Sequence, residues 1–409
     1  MNTKTKIISV FNQIPLPLLL MMFMQYLLLA VWWVPLAAYL TNRGIDGLEK
    51  SLILSSMAIG SMASPLIGYM ADRYFSSQKV LAGVNVLTAV FLFIAGCTND
   101  TRWLFLFIFL AMFCYMPSWS LTSSIAMAHS QREQFPRIRM FGSFGWIASG
   151  LFSLVAIKII GVAQFDGTRL PMICGSILAF VAALINLTLP DTPPVKSGKT
   201  SLAKIFGTEA FSMMKDRNYA IFMLCSFLAI MSFSLYYSFG SEFLQDRDFE
   251  FITITMNWGQ AAELLFLFFT TAIIIKLGIK WAMIMGLLAL IVRYSFFYWG
   301  VITDFPAHYI TGILVHGLIF GLFFVGGQIY TDQRAPANLK AQAQGMLSFI
   351  IWGAGLLAGN LICGWLIRFY SSDVGGKIVY NWDMIFQWTV IFTILTLVVF
   401  ALFFKSERR

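Results

Sequence analysis

Long apolar runs broken by short polar punctuation fill the chain, at about 16–40, 51–71, 79–97, 103–128, 138–162, 170–189, 219–241, 254–277, 281–302, 307–331, 342–368 and 383–404. Most are close to the ~20 apolar residues that an α-helix needs to cross a hydrocarbon core. Within lipid every backbone polar group must be satisfied inside the segment, which makes each run a transmembrane helix. Pro35, Pro65 and Pro117 fall inside runs, where neighbouring helices can accommodate the bends they cause. The longest polar stretch lies in the middle of the chain and leaves six runs on either side. The pattern predicts an all-α integral membrane fold of twelve transmembrane helices, with six-helix bundles at 1–190 and 218–409 joined by a central linker at 191–217.

Composition sharpens this reading. Of 409 residues, 59% are hydrophobic and 11% charged, against about 25% charged in a soluble domain. No hydrophilic stretch is long enough for a soluble catalytic domain. The net charge of +9 raises the question of a nucleic-acid partner, but the placement of the charges answers it. With the N-terminus inside, 19 of the 28 Lys and Arg fall on inside segments and 8 on outside ones, and Arg293 lies within a span. That bias predicts two cytoplasmic termini and a basic cytoplasmic surface, with no nucleic acid needed. Residues 1–12 precede an apolar run too long for a signal-peptide core, and are expected to stay uncleaved. Cys97, Cys114, Cys174, Cys225 and Cys363 are scattered through apolar segments with no CxxC and no metal-ligand spacing. No metal, cofactor or enzymatic centre is expected, since no nucleophile stands with a base and no phosphate loop is present.

Polar residues inside spans are costly and mark candidate sites. Asn257, Gln260 and Glu263 follow one another at three-residue spacing in span eight and lie on one slanted stripe. A buried carboxylate can hold a proton in one environment and release it in another; the alternative is a structural glutamate paired with Arg293 of span nine. Arg139 shares a face of span five with Ser143 and Trp146, while Gly142, Gly145 and Ser149 let another helix approach. Arg139 is either a binding residue or an anchor at the inner end of its helix. His316 shares a face with Phe320 and Phe324, beside Gly317 and Gly321; it reads as a relay or as a packing residue. Span one adds Gln25, Trp32 and Trp33, and span four adds Tyr115, Trp119, Thr122 and Ser123, as weaker candidates. Amides, one acid, one guanidinium and aromatic rings suit a neutral solute with hydroxyls and a flat ring. Nucleosides have both; sugars remain an alternative on chemistry alone.

Two resemblances narrow the choice. Gly68-Tyr-Met-Ala-Asp72-Arg73 resembles the loop motif of the major facilitator superfamily, in which the charges latch neighbouring helices. Phe135-Pro136-Arg137-Ile138-Arg139-Met140-Phe141-Gly142-Ser143-Phe144-Gly145, Gln260-Ala-Ala-Glu263 and Ala341-Gln342-Ala343-Gln344-Gly345-Met346 resemble stretches of the bacterial nucleoside permeases, the nucleoside:H+ symporter family of that superfamily. Cys114-Tyr115-Met116-Pro117, Leu187-Thr188-Leu189-Pro190 and Arg293-Tyr294 match in the same order. The resemblance implies proton-driven nucleoside uptake by a functional monomer in a bacterial inner membrane, with nucleoside, proton and lipid bilayer as partners. By position it places Arg139, Ser143, Trp146, Tyr237, Gln260, Glu263, His316 and Phe320 in the substrate site, and Glu263 and His316 in proton coupling.

Some positions depart from the family pattern. Members can carry amides where this chain has Ser234 and Tyr237, a tyrosine at His316, and an acid at Gly321. The expected mechanism is a rocker whose two bundles alternately open a midplane site. A sugar carrier, or a uniporter on the same scaffold, is the alternative.

Overall fold

A computed structural model describes residues 14–64, 67, 70–71, 74–130, 135–193, 208–336, 340–375 and 377–405. In chain order its principal elements are α1 (Leu16–Trp33), α2 (Leu36–Asn42), α3 (Gly47–Leu54), α4 (Ser56–Ser61), α5 (Ser77–Cys97), α6 (Thr101–Ala126), α7 (Ile138–Ile160), α8 (Leu170–Asn186), α9 (Arg217–Asp246), α10 (Ile252–Leu277), α11 (Ile279–Thr303), α12 (Pro306–Thr331), α13 (Gly345–Phe369), β1 (Ser371–Val374), β2 (Lys377–Tyr380) and α14 (Trp382–Phe403). Among the described residues nine helical stretches are long and apolar enough to cross a membrane: α1 with α2, α5, α6, α7, α9, α11, α12, α13 and α14. α8 is a shorter apolar helix. Large apolar side chains such as Leu151, Ile159, Trp281, Trp365 and Leu402 are exposed, as a protein solvated by lipid requires.

The described chain forms two compact units, residues 1–36 with 63–199 and residues 37–62 with 200–409. In the first, α1 is the buried axis. Leu18, Met21, Met22, Leu28, Leu29, Ala30 and Val31 have no exposed surface. α7 reaches it through glycine: a Cβ on Gly145 would stand 2.1 Å from the Phe23 carbonyl oxygen, and one on Gly142 would meet the Tyr26 ring at 2.6 Å. Gly175 of α8 does the same against Trp32, at 2.6 Å. Small residues thus let backbones approach closely where lipid supplies no hydrophobic drive.

In the second unit the C-terminal half of α9 is almost wholly buried. α11 and α12 touch at Gly286, whose added Cβ would lie 2.7 Å from the Phe323 amide nitrogen. Among the described residues three helices contain π-helical turns, at Ala156–Ile160, Ile319–Val325 and Phe349–Gly355; such turns often accompany functional sites. Pro117 interrupts α6 after Tyr115, because proline lacks the N–H that would continue the ladder.

Two elements differ from the sequence pattern. The run expected at 51–71 begins earlier and breaks at Ser55 into α3 and α4. The Ser55 hydroxyl donates to the Ser51 carbonyl at 2.6 Å, a back-bond that bends helices. The connection before α14 is an antiparallel hairpin, Ser371 opposite Tyr380, turning at Gly375 with φ +65.

Candidate functional site

The second unit gathers the candidates of three spans. α10 carries Gln260 and Glu263 one turn apart, and α12 carries His316, Phe320 and Phe324 at four-residue spacing. Glu263 Oε2 lies 3.4 Å from His316 Nε2, and both side chains are buried, 5% and 4% exposed. The Gln260 side-chain amide lies 3.3 Å from the same ring nitrogen. His316 Nδ1 has no hydrogen-bond partner among the described residues. Two glycines make the approach possible. A Cβ on Gly317 would stand 2.5 Å from the Ala262 carbonyl oxygen, and one on Gly259 would stand 3.2 Å from the His316 Cβ.

Aromatic rings continue from this polar pair. His316 stacks on Phe320 with centroids 6.2 Å apart and planes at 12°. Phe233 is 5.5 Å from His316, 5.2 Å from Phe324 and 5.7 Å from Tyr237. Tyr237 and Phe324 both meet Trp352, at 5.8 and 6.3 Å. The result is one acid, one imidazole and one amide beside a wall of flat apolar faces. Ser234 is elsewhere: its hydroxyl donates to the Met231 carbonyl and faces Cys363.

Arg293 does not pair with Glu263. It is fully buried, donates from Nε to the Gly312 carbonyl at 3.2 Å, and lies over the Tyr236 ring at 4.5 Å and the Phe233 ring at 5.5 Å. The structural alternative for Glu263 therefore has His316, not Arg293, as its partner.

In the first unit the Arg139 guanidinium sits 4.2 Å from the centre of the Tyr26 ring. Tyr26 stacks on Trp119 at 5.5 Å. The Trp119 indole donates to the Tyr115 hydroxyl at 2.9 Å, which donates to the Gln25 carbonyl at 2.6 Å. Gln25 and Asn85 exchange a pair of amide bonds, 3.1 and 3.3 Å. Arg139 thus belongs to a continuous cation, aromatic and amide network rather than standing as an isolated anchor. Ser143 and Trp146 are buried on the same helix. Thr122 and Ser123 turn their hydroxyls back to the Trp119 carbonyl. Gly68, Asp72 and Arg73 lie outside the described residues.

The sequence pattern missed Tyr26, Phe233 and Trp352. The signal for Tyr26 was Gly142 on the opposite helix, whose missing side chain leaves room for the Tyr26 ring. Phe233 and Trp352 are aromatics among many in apolar spans, and nothing in their spacing marks them.

The model of the nucleoside H+ symporter family matches residues 12–409. The chain belongs to the nucleoside H+ symporter family. It is 31% identical over 395 residues to the putative nucleoside transporter YegT of Escherichia coli, covering 95% of this chain and 93% of that one. It is 27% identical to the nucleoside permease NupG of the same organism, over 88% and 89% of the two chains. The crystal structure of NupG superposes with a TM-score of 0.83 over 96% of this chain and 99% of that chain at 26% identity. The fold is therefore that of the major facilitator superfamily. Peptide transporters of the POT family, at 14% identity and a TM-score of 0.70, share the fold alone.

Proposed function

We infer that this chain is a secondary active transporter that moves a nucleoside together with a proton, and that Glu263 and His316 carry the proton while Gln260, Phe320 and Tyr237 contact the solute. The observation that supports the assignment is the 3.4 Å contact of a buried carboxylate with a buried imidazole beside the Gln260 amide. Ribose hydroxyls can donate to and accept from Gln260 and Glu263. The base is a flat ring that stacks on Phe320 or Trp352. Arg139, Ser143 and Trp146 are assigned further solute contacts.

Gly321 stands where family members can carry an acid, so the proton has no carboxylate there. Glu263 takes that role. When the pair is dry, a protonated Glu263 carboxyl beside a neutral His316 leaves no uncompensated charge, which lipid-depth burial would penalise heavily. When water enters, Glu263 ionises and the solute loses a donor. Alternating exposure of the pair then couples the two fluxes. One proton crossing 100 mV contributes about 2.3 kcal/mol, enough for roughly fortyfold accumulation in a 1:1 symport. We place the protein as a monomer in a bacterial inner membrane with both termini in the cytoplasm.

Radiolabelled uridine uptake into vesicles with an imposed inward proton gradient tests the reading. Uptake that rises with the gradient and is competed by other nucleosides is the expected result. Uptake indifferent to both the gradient and Glu263→Gln would overturn the coupling assignment.

A further inference from the structure

In the first unit, several helices converge on one aromatic ring. Tyr26 of α1 is 8% exposed, and the Arg139 guanidinium of α7 lies 4.2 Å from the centre of its ring. Gly142 makes room for both partners at once: an added Cβ would stand 2.6 Å from the Tyr26 ring and 2.9 Å from Arg139 Nη1. The ring is itself held from α6. It stacks on Trp119 with centroids 5.5 Å apart and planes at 15°. The Trp119 indole donates to the Tyr115 hydroxyl at 2.9 Å, and that hydroxyl donates at 2.6 Å to the carbonyl of Gln25, the neighbour of Tyr26 in the chain. The circuit closes on α1, where it began. Gln25 is tied in turn to Asn85 of α5 by two amide hydrogen bonds, and neither residue has exposed surface.

The Arg139 end of this arrangement is less constrained. Its side chain is half-buried and makes no ion pair or hydrogen bond with the described residues. How an arginine is held decides what it can still do. A carboxylate partner would cancel the charge and occupy the guanidinium fork. A backbone carbonyl would take a donor. A ring face attracts the cation through its quadrupole, and it neither cancels the charge nor accepts the N–H groups as a carbonyl would. An apolar side chain at this position would pack on Tyr26 without bringing a cation out of water. Helix packing alone therefore does not account for an arginine here. A guanidinium that must meet a solute with its charge and its donors intact does need a holder of this kind.

We propose that Tyr26 is a positioning residue of the solute site: its ring, held by Trp119, fixes where the Arg139 guanidinium stands and leaves the N–H donors to hydroxyl or carbonyl oxygens of the nucleoside. The proposal rests on the transport reading and on the solute contact assigned there to Arg139. Tyr26 acts through Arg139 and does not itself touch the solute. A guanidinium placed before the solute arrives loses less rotamer freedom on binding, so the ring contributes affinity without a contact of its own.

The test varies the charge of the ring face and not its shape. In the full chain, purified in detergent, Tyr26→Phe serves as the reference, and increasingly fluorinated phenylalanines at the same position drain negative charge from the face with little change in packing. Calorimetry reads uridine affinity. Each step of fluorination is expected to weaken binding, by up to about tenfold for the most fluorinated ring, and to have no effect once Arg139→Gln is also present. A residue that only packs gives no such series, and the series does not depend on a disruptive variant folding. Tyr26→Leu, which removes the ring, is expected to lower affinity at least as much, again only where Arg139 is kept. Affinity that stays level along the series, while Arg139→Gln itself weakens binding, overturns the proposal and leaves the transport reading standing. Equal weakening with and without Arg139 also overturns it, by making Tyr26 a solute contact. Failure of the parent and the reference to bind uridine or any other nucleoside overturns the transport reading, and the proposal with it.

Discussion

Oε2 of Glu263 lies 3.4 Å from Nε2 of His316, while Nδ1 of that ring meets no hydrogen-bond partner among the described residues. The Glu263 carboxyl and the Gln260 amide, 3.3 Å away, thus converge on one ring nitrogen, while an imidazolium would leave a buried Nδ1–H without an acceptor.

Glu263→Gln is expected to abolish accumulation driven by a proton gradient and to leave nucleoside counterflow largely intact. Counterflow needs binding and reorientation but no net proton movement. Accumulation at the parent level in a gradient would sink the assignment, whereas loss of both activities would make Glu263 a binding residue first.

Phe320 stacks on His316 and is only half-buried, which makes it testable as the contact we propose for the base. Aromatic pairs contribute about 0.5–1.5 kcal/mol beyond buried area, and Phe320→Ala should weaken uridine binding about two- to tenfold. Phe320→Tyr should keep most of the affinity. Calorimetry on the purified protein checks this; equal affinity in the alanine variant would remove Phe320 from the site.

Gly321 cannot simply be returned to an acid. A Cβ there would stand 2.6 Å from the Thr270 hydroxyl, which is tied back to the Phe266 carbonyl at 3.1 Å. Gly321→Asp alone is therefore expected to lower stability, and pairing it with Thr270→Ala to restore it, since the Thr270 Cβ lies at 3.9 Å. The two melting temperatures in detergent decide the point. Equal melting temperatures for single and double variants would contradict it.

Gly145→Ala and Gly83→Ala make a matched comparison. The first places a methyl 2.1 Å from a backbone oxygen of α1, and the second meets nothing within 4 Å. Overpacking costs about 1–3 kcal/mol, while alanine at an open helical site gains about 0.5–1 kcal/mol. Thermal unfolding should move down for Gly145→Ala and stay level or rise for Gly83→Ala. The same shift in both would mean that α1 and α7 are not in contact at Gly145.

The helices were legible because the bilayer imposes one rule on every spanning segment. Length and hydropathy alone placed α9 to within a few residues of 219–241 and α14 to within one or two of 383–404. The hairpin and the break at Ser55 were not, since a hydroxyl bonded to its own helix and a four-residue strand leave no hydropathy signature. His316 and Glu263 were each visible as expensive polar groups. That they face one another was hidden, because Gly317 and Gly259 reveal their purpose only when two helices are brought side by side.

The amino-acid sequence by itself determined that this chain is built of apolar helices that span a membrane and which family it belongs to, because those properties are sums over local residues. The tertiary structure decided the partners: His316 rather than Arg293 for Glu263, and Tyr26 for Arg139. A charge inside a membrane must be compensated by whatever group the packing delivers, and the spacing of residues along one helix carries no information about what the next helix brings.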